Sequence, residues 1–220
     1  MTAGPVPAPK DAPATSPITG AETQQLIDHC GASRETLPTL TELVALLERW
    51  QARINLVSKA TLPAVWTRHI LDSAQLLPQI GPNAQTVTDL GSGAGFPALV
   101  LAIARPDLTV HSIDSDQRKI AFQREVGRQL SLQNLHCHSE RIEQVASTQA
   151  DIVTARALAP LDRLVGWAQP HLIGGGTCLF LKGQHVEDEL TAAHKMWDFT
   201  VERSASITHP DGVILALRFT

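Results

Sequence analysis

Residues 86–97 have the sequence TVTDLGSGAGFP, in which a short β-rich run leads into three glycines with the spacing GxGxG. Glycine lets the backbone turn sharply and lets a ligand approach it closely. The dinucleotide fingerprint GxGxxG needs a glycine where Phe96 stands, and Pro97 removes one N–H donor from the first turn of the following helix. The stretch therefore predicts a strand–loop–helix unit with a nucleotide-type site, and it counts against a dinucleotide.

Two carboxylates narrow down the ligand of this loop. Asp114 ends the second predicted strand, 23 residues after Gly91, where a carboxylate can accept hydrogen bonds from both hydroxyls of an adenosine ribose. Asp89 lies at the tip of the first strand, which is unfavourable beside a pyrophosphate and suits a ligand with an ammonium group and a sulfonium. Together these features indicate S-adenosylmethionine. The alternative is that the glycines only form a tight turn and that Asp114 is a surface carboxylate.

From residue 85 onward, short β-rich runs alternate with helical runs. The predicted strands are 86–90, 109–114, 134–138, 151–155, 177–182, 199–207 and 213–219. The predicted helices are 97–104, 116–130, 142–147, 161–172 and 186–196. Such alternation predicts βαβ units, and the last two strands form an antiparallel hairpin around a short turn. We therefore expect an α/β fold with a doubly wound, Rossmann-like, seven-stranded sheet.

A different kind of sequence precedes this sheet. Residues 1–20 hold five of the fourteen prolines and little that could pack, which predicts a disordered tail. Residues 21–82 are predicted to form a helical extension, with one apolar stripe from Leu40 to Ile54 and a second helix from Pro63 to Leu77. Gly81 and Pro82 mark a boundary. Residues 83–220 then form the ligand-binding domain.

The composition excludes several classes of protein. Of 220 residues, 43% are hydrophobic and 18% are charged, which is typical of a globular domain. No apolar run approaches the ~18 residues that a membrane helix needs. The three cysteines are far apart and the histidines lack the spacing of metal ligands, so we expect neither a disulfide framework nor a metal site. We expect a monomer in a reducing cytoplasm, and the net charge of -4 counts against non-specific coating of nucleic acid.

Several blocks of the chain resemble the RsmG (GidB) family of class I S-adenosylmethionine-dependent methyltransferases. The blocks are INLVS at 54–58, RHILDS at 68–73, the glycine loop, SERIE at 139–143, ARA at 155–157 and LKG at 181–183. That family methylates guanine N7 in the RNA of the small ribosomal subunit. The resemblance therefore implies S-adenosylmethionine as the cofactor, 16S ribosomal RNA or a small-subunit precursor as the partner, and the guanine at position 527 as the target.

The resemblance also implies which residues contact the cofactor. These residues are Gly91, Phe96, Ile142, Glu143 and Arg156. The argument from the loop and the strand ends adds Asp89, Gly93, Gly95 and Asp114.

Methylation of guanine N7 sets modest chemical demands. N7 carries a lone pair and no proton, so the transfer needs no general base, and we expect no catalytic dyad or triad. The protein contributes mainly proximity and orientation. Because arginine reads the O6/N7 edge of guanine well, Arg156 and Lys182 are the candidates for the rim around the target base.

A stretch without acids, residues 49–71, is the candidate for contact with RNA phosphates. The predicted RNA-binding residues are Arg49, Arg53, Lys59, Arg68 and His69. The alternative is that the arginines are solvated side chains, that Arg68 pairs with Asp72 four residues later, and that His69 is a partly buried histidine.

Three other functions compete with the methylation of RNA. One is a methyltransferase that acts on a small molecule or a protein. The others are a nucleotide-binding module without activity and a dehydrogenase, which binding assays with S-adenosylmethionine and NAD would distinguish.

Overall fold

A seven-stranded sheet runs through the computed structural model, which describes residues 17–219. Its strands are β1 (Thr86–Leu90), β2 (Thr109–Ile113), β3 (Leu135–His138), β4 (Ala150–Arg156), β5 (Leu172–Lys182), β6 (Phe199–Ala205) and β7 (Val213–Phe219). They lie in the order β3-β2-β1-β4-β5-β7-β6. Strand β7 pairs antiparallel with β5 and β6, and the other neighbours pair in parallel. The predicted α/β sheet with a terminal hairpin is confirmed.

Helices cover both faces of the sheet. The α-helices are α1 (Gly20–Asp28), α2 (Leu37–Gln51), α3 (Asp72–Ala74), α4 (Ala98–Ala104), α5 (Gln117–Gln129), α6 (Leu161–Ala168) and α7 (Val186–Ala193). Successive residues of a strand point to opposite faces, so Leu179 joins the core beneath α2, α4 and α5, while Phe180 joins the core beneath α6 and α7. Within residues 17–219, no helix is long and apolar enough to cross a bilayer.

The predicted helix from Pro63 to Leu77 is not continuous. It consists of a 3₁₀ turn at Leu62–Ala64, a π-helix at Trp66–Leu71, the single turn α3 and a second 3₁₀ turn at Leu77–Gln79. Each 3₁₀ turn has a proline near its start, where the missing N–H costs no helical hydrogen bond. The π-helix has wider turns than an α-helix, because its hydrogen bonds span five residues instead of four.

Other boundaries also differ from the predictions, and both α7, predicted to end at residue 196, and β6, predicted to end at residue 207, end earlier, at Ala193 and Ala205. The helix predicted at 142–147 is only a 3₁₀ turn, Ile142–Gln144. The helix predicted at 161–172 ends at Ala168, since Pro170 lacks the N–H that an α-helix would use. Strand β5 begins at Leu172 rather than at Thr177, and the glycines there are accommodated by a shift of register against β4 between Ala150 and Ile152.

The tail predicted for residues 1–20 falls mostly outside the described residues, which begin at Pro17. Its last part belongs to the ordered chain. Ile18 packs against the core, and Thr19 forms a capping box with Glu22 at the start of α1. The boundary of the helical region is therefore earlier than predicted.

Candidate active site

The glycine loop follows β1 and has a backbone that favours glycine. Gly91, Gly93 and Gly95 have φ angles of 60°, 57° and 86°. A Cβ atom on Gly91 would come within 2.3 Å of Leu158 Cδ1, and one on Gly95 would come within 2.6 Å of Leu99 Cδ1. The backbone angle favours glycine at both positions, and at Gly95 close packing against the buried Leu99 also excludes a side chain.

A buried polar network supports the loop from below. Gln123 Nε2 donates to Ser92 Oγ at 2.9 Å and to the Gly93 carbonyl at 2.8 Å. The Ser112 hydroxyl lies 2.6 Å from Ser92 Oγ and is also within hydrogen-bond distance of Gln123 Oε1. All three side chains are buried. Sequence reasoning missed this network, although a serine and a glutamine at core positions of β2 and α5 are a usable signal.

Asp89 lies beneath the loop. It is fully buried, its Oδ1 accepts a hydrogen bond from Thr154 Oγ1 at 2.9 Å, and its Oδ2 accepts one from the Ala98 N–H at 3.3 Å. Burial raises the pKa of Asp89 to about 7, against the opposing effect of these hydrogen bonds and of Arg156. Asp89 therefore connects β1, β4 and the start of α4, and it does not line the cavities described below.

A cavity of about 120 Å³, here called the loop cavity, opens beside the first glycine. Its lining residues are Gly91, Asp114, Ser115, Glu140, Arg141, Ile142, Glu143, Leu158 and Trp167. Asp114 Oδ2 accepts a hydrogen bond from the Gly93 N–H, and its Oδ1 accepts one from the Asp116 N–H, both at 2.8 Å. The structure thus brings together four of the predicted cofactor residues. Leu158 and Trp167 are additions that no sequence motif indicated.

The residues that line the loop cavity have the chemistry that the adenosine part of the predicted cofactor needs. Each oxygen of Asp114 has a second lone pair beyond the hydrogen bond that it already accepts, so the carboxylate can also receive ribose hydroxyls. Ile142, Leu158 and Trp167 provide apolar walls for a flat ring. Because Gly91 has no side chain, Leu158 can occupy the space above the loop.

Arg156 ends β4 and links the loop to the N-terminal helical region. Its Nη1 donates to the Arg68 carbonyl at 2.9 Å and to Asp72 Oδ2 at 3.1 Å. Its guanidinium carbon lies 5.7 Å from the centre of the Phe96 ring. The pair of Arg68 with Asp72 expected from a four-residue spacing is replaced by the pair of Arg156 with Asp72. Arg68 and Asp72 lie near each other, since both line the larger cavity described below, but the Asp72 carboxylate pairs with Arg156.

His69 is buried between Arg156 and Thr61. Arg156 Nη2 lies 3.2 Å from His69 Nδ1, and His69 Nε2 lies 2.9 Å from Thr61 Oγ1. A guanidinium can only donate, and the Thr61 hydroxyl already donates to the Ser58 carbonyl. His69 therefore accepts at Nδ1 and donates from Nε2 as a neutral ring. In agreement with this, burial and the nearby Arg156 and Arg68 lower the pKa of His69 to about 3.

A larger cavity of about 430 Å³, here called the hairpin cavity, lies on the other side of the end of β4. Residues that line it include Arg68, Asp72, Arg156, Ala157, Lys182, His185, Glu189, His209 and Asp211. Arg156 and Ala157 line the hairpin cavity, and the next residue, Leu158, lines the loop cavity. Ala157 has a φ of 50°, in the left-handed region. The two cavities therefore flank one strand end with an unusual backbone.

Lys182 lines the hairpin cavity, and its ammonium group has partners within the protein. Its Nζ donates to the Ala159 carbonyl at 3.0 Å and lies 2.5 Å from Glu189 Oε2. Its side chain is only 9% exposed. This lysine therefore joins β5 to α7 in addition to lining the cavity.

The structure separates the predicted RNA-binding residues from one another. Arg53 and Lys59 line a surface groove formed by residues 51–59. Arg68 lines the hairpin cavity, and His69 is buried. Arg49 has a buried Nε atom without a hydrogen-bond partner. Three of the predicted residues thus line two different cavities, and His69 lies in the interior.

Comparison with known proteins identifies the family of the chain. The family model GidB, described as rRNA small subunit methyltransferase G, matches residues 36–214. The chain belongs to this family. A "Ribosomal RNA small subunit methyltransferase G" of Paramagnetospirillum magneticum is 56% identical over 196 residues, which cover 89% of this chain and 94% of that protein. The protein of the same name from Parvibaculum lavamentivorans is 50% identical over 192 residues, covering 84% of each.

Solved structures show the same fold at low identity. A methyltransferase from Geobacter sulfurreducens aligns with a TM-score of 0.56 at 16% identity, covering 93% of this chain and 98% of that one. The predicted membership of the GidB family, the class I methyltransferase fold and S-adenosylmethionine as the cofactor are confirmed.

The histidines of this GidB family member include a cluster away from the cavities. His111 of β2 lies with its Nδ1 2.9 Å from Nε2 of His138, and its ring stacks on that of His136. Burial and the neighbouring histidines lower the pKa of His111 to about 4. Among the described residues, no group of three or more histidine, cysteine or acidic side chains is arranged to hold a metal ion.

We expect the free energy of unfolding to fall as the pH drops from about 6.5 to about 4. Unfolded histidines bind a proton near pH 6.5, whereas folded His69 and His111 remain neutral, so acid favours the unfolded chain. Asp89 acts in the opposite direction, because its raised pKa lets the folded chain bind a proton first. For His69 alone, the loss between pH 6.5 and pH 5 is about 2 kcal/mol.

Urea unfolding at several pH values tests this expectation. The variant His69→Asn keeps an oxygen that can accept from Arg156 but cannot titrate. Its free energy of unfolding should therefore decline less steeply below pH 6.5 than that of the wild type. Equal slopes for the two proteins would contradict the assignment of a neutral His69.

Proposed function

We propose that the chain transfers a methyl group from S-adenosylmethionine to N7 of a guanine in 16S ribosomal RNA, at the position 527 that the family resemblance implies. The observation that carries the proposal is the position of the two cavities on either side of residues 156–158. A methyl donor in the loop cavity and a base in the hairpin cavity would face each other across this strand end. The membership of the GidB family supports RNA as the acceptor.

The loop cavity holds the donor. S-adenosylmethionine, when bound, supplies a methyl group on a positively charged sulfur. Asp114 accepts hydrogen bonds from the ribose hydroxyls, and Ile142 and Trp167 enclose the adenine, with Glu143 at its edge. Asp89 acts from below, by fixing the loop through Thr154 and the Ala98 N–H.

The hairpin cavity holds the guanine. A guanidinium has five N–H donors, and the contacts of Arg156 with Arg68, Asp72 and His69 use three of them. The remaining donors can face guanine O6, which leaves the N7 lone pair available for methyl transfer. Because N7 carries no proton, the chain has to align two reactants, a contribution of roughly 7–11 kcal/mol in favourable cases. Lys182 contributes less charge at the rim because Glu189 pairs with it.

Contacts with the RNA backbone come from two separate places. Arg68 lies in the hairpin cavity beside the target base, and Arg53 and Lys59 lie along the groove formed by residues 51–59. His69 orients Arg156 and does not touch RNA, because it is 7% exposed and both of its ring nitrogens have protein partners. We propose a monomer that acts in the cytoplasm on 16S RNA or on a small-subunit precursor.

Mass mapping of ribosomal RNA tests the function. The RNA comes from bacteria that lack the enzyme and is offered either naked or as small-subunit particles, with labelled S-adenosylmethionine. We expect one labelled 7-methylguanosine in 16S RNA, in the fragment that contains position 527. RNA from the parent strain, which already carries the methyl group, is the control. A label in protein or in a small molecule, or a methyl group on another atom, would contradict the proposal.

A further inference from the structure

The Asp72 carboxylate lies at the junction of three elements around the hairpin cavity. Its Oδ2 accepts from Arg156 Nη1 at the end of β4. Its Oδ1 accepts from Thr208 Oγ1 at 2.6 Å, in the turn between β6 and β7, and from Gln75 Nε2 at 2.9 Å. Gln75 Oε1 in turn accepts from the Ile207 N–H at 3.0 Å. One carboxylate from the helical region therefore fixes both the arginine and the turn that lines the cavity.

These contacts are sheltered from water and leave Arg156 little freedom. The side chains of Asp72 and Arg156 are 18% and 20% exposed. Arg156 is also held by the Arg68 carbonyl and by His69 Nδ1, both from the π-helix. All three acceptors around the Arg156 guanidinium thus come from residues 68–72, and Asp72 is the one that carries a charge.

The ion pair between Asp72 and Arg156 contributes more to orientation than to stability. An ion pair removed from water recovers little net free energy, since the cost of dehydrating both groups offsets their attraction. A guanidinium that donates to two or three acceptors is instead fixed in its orientation, because its N–H groups point in set directions from a flat group. The geometry therefore favours orientation as the role of the pair.

We propose that Asp72 is a positioning residue for methyl transfer: it aims Arg156 at the target base and holds the turn at residues 206–212 against the same cavity. The inference rests on the proposed role of Arg156 beside the guanine. It makes the helical N-terminal region part of the active site, whereas the sequence predicted only an extension with possible RNA contacts.

The main test is the variant Asp72→Asn, compared in kcat, in KM for 16S RNA and in the dissociation constant for S-adenosylmethionine. An amide oxygen can still accept from Thr208 and Gln75, but the amide N–H groups now face the guanidinium. We expect kcat to fall by about 10- to 100-fold, because a small misplacement of an aligning group has effects of this size. Affinity for S-adenosylmethionine should stay within about 2-fold, since Asp72 does not line the loop cavity.

A double-mutant cycle separates positioning from a general loss of structure. In the background Arg156→Lys, the further change Asp72→Asn should lower kcat much less than it does in the wild type, because residues that act as a unit are not additive. Asp107→Asn, which removes an exposed ion pair with Arg105, is the matched control and should leave kcat unchanged. If Asp72→Asn does not fold, Asp72→Glu keeps the charge, displaces it by one methylene, and should show the same fall in kcat.

The possible outcomes distinguish the two proposals. A wild-type kcat in Asp72→Asn together with an impaired Arg156→Lys would overturn the role of Asp72 and leave the proposed function intact. Additive effects in the double variant would also overturn it, because Asp72 would then act independently of Arg156. Full activity in Arg156→Lys and Arg156→Ala would overturn the assignment of Arg156 itself, and with it the role of Asp72.

Discussion

Replacing Gly95 with valine should weaken the binding of S-adenosylmethionine by about two orders of magnitude. Gly95 has a φ of 86°, which strains any other residue, and its missing side chain faces Leu99 Cδ1 at 2.6 Å and Leu99 Cγ at 2.7 Å. Leu99 is fully buried in α4 and cannot move aside, so the loop itself must shift. Because Asp114 binds the Gly93 N–H in the same loop, the loop cavity would be distorted as well.

Isothermal titration with S-adenosylmethionine measures this effect. Gly174→Val is the matched control, because Gly174 has an ordinary φ and no atom within 4 Å of its missing Cβ. Melting temperatures of both variants separate local distortion from global unfolding. Unchanged affinity in Gly95→Val would mean that the loop does not form the donor site.

Replacing Arg156 with alanine should lower kcat/KM for 16S RNA by about 100- to 1000-fold, the range seen when one donor that stabilises a reacting group is removed. The change removes the hydrogen bonds to Asp72, His69 and the Arg68 carbonyl together with the contact on the Phe96 ring. Affinity for the cofactor should change less, because Arg156 lines the hairpin cavity and not the loop cavity.

The stability of Arg156→Ala has to be measured alongside its kinetics. Removing one partner of a sheltered ion pair leaves Asp72 without its cation, at a cost of a few kcal/mol. Arg105→Ala breaks an ion pair whose acid, Asp107, is 57% exposed, and it serves as the control for the loss of an arginine. Methyl transfer at the wild-type rate by a folded Arg156→Ala protein would exclude the proposed role of this arginine.

The strands of the sheet were predictable because the sequence signals for each strand lie within the strand and its flanking turns. Each of β1, β2 and β7 is a short run rich in β-branched or apolar residues and bounded by turn residues, and the ranges found agree with the predicted ones within a residue. The segment from Leu62 to Gln79 was less predictable. Its apolar spacing fits a helix, but prolines 63 and 78 and the packing of Trp66 and Ile70 in the core select 3₁₀ and π turns instead.

The candidate site was predictable in part for the same reason. The glycine loop and Asp114 follow β1 and β2, which are neighbouring parallel strands, so their meeting at one cavity follows from the topology. The partners of Arg156 are not visible in the sequence, because Arg68, His69 and Asp72 lie 84 to 88 residues away. The burial of Asp89 could have been inferred, since a central parallel strand is covered on both faces.

The π-helix at Trp66–Leu71 gives the length of that segment a functional meaning. A π-turn holds one residue more than an α-turn, so removal of one residue would let the segment wind as an α-helix with its two ends in nearly the same orientation. Removal of His69 would then take away the ring that accepts from Arg156 Nη2, while Asp72 on the far side would keep its place. The wide turn thus accommodates an additional acceptor for Arg156 without a change in the direction of the chain.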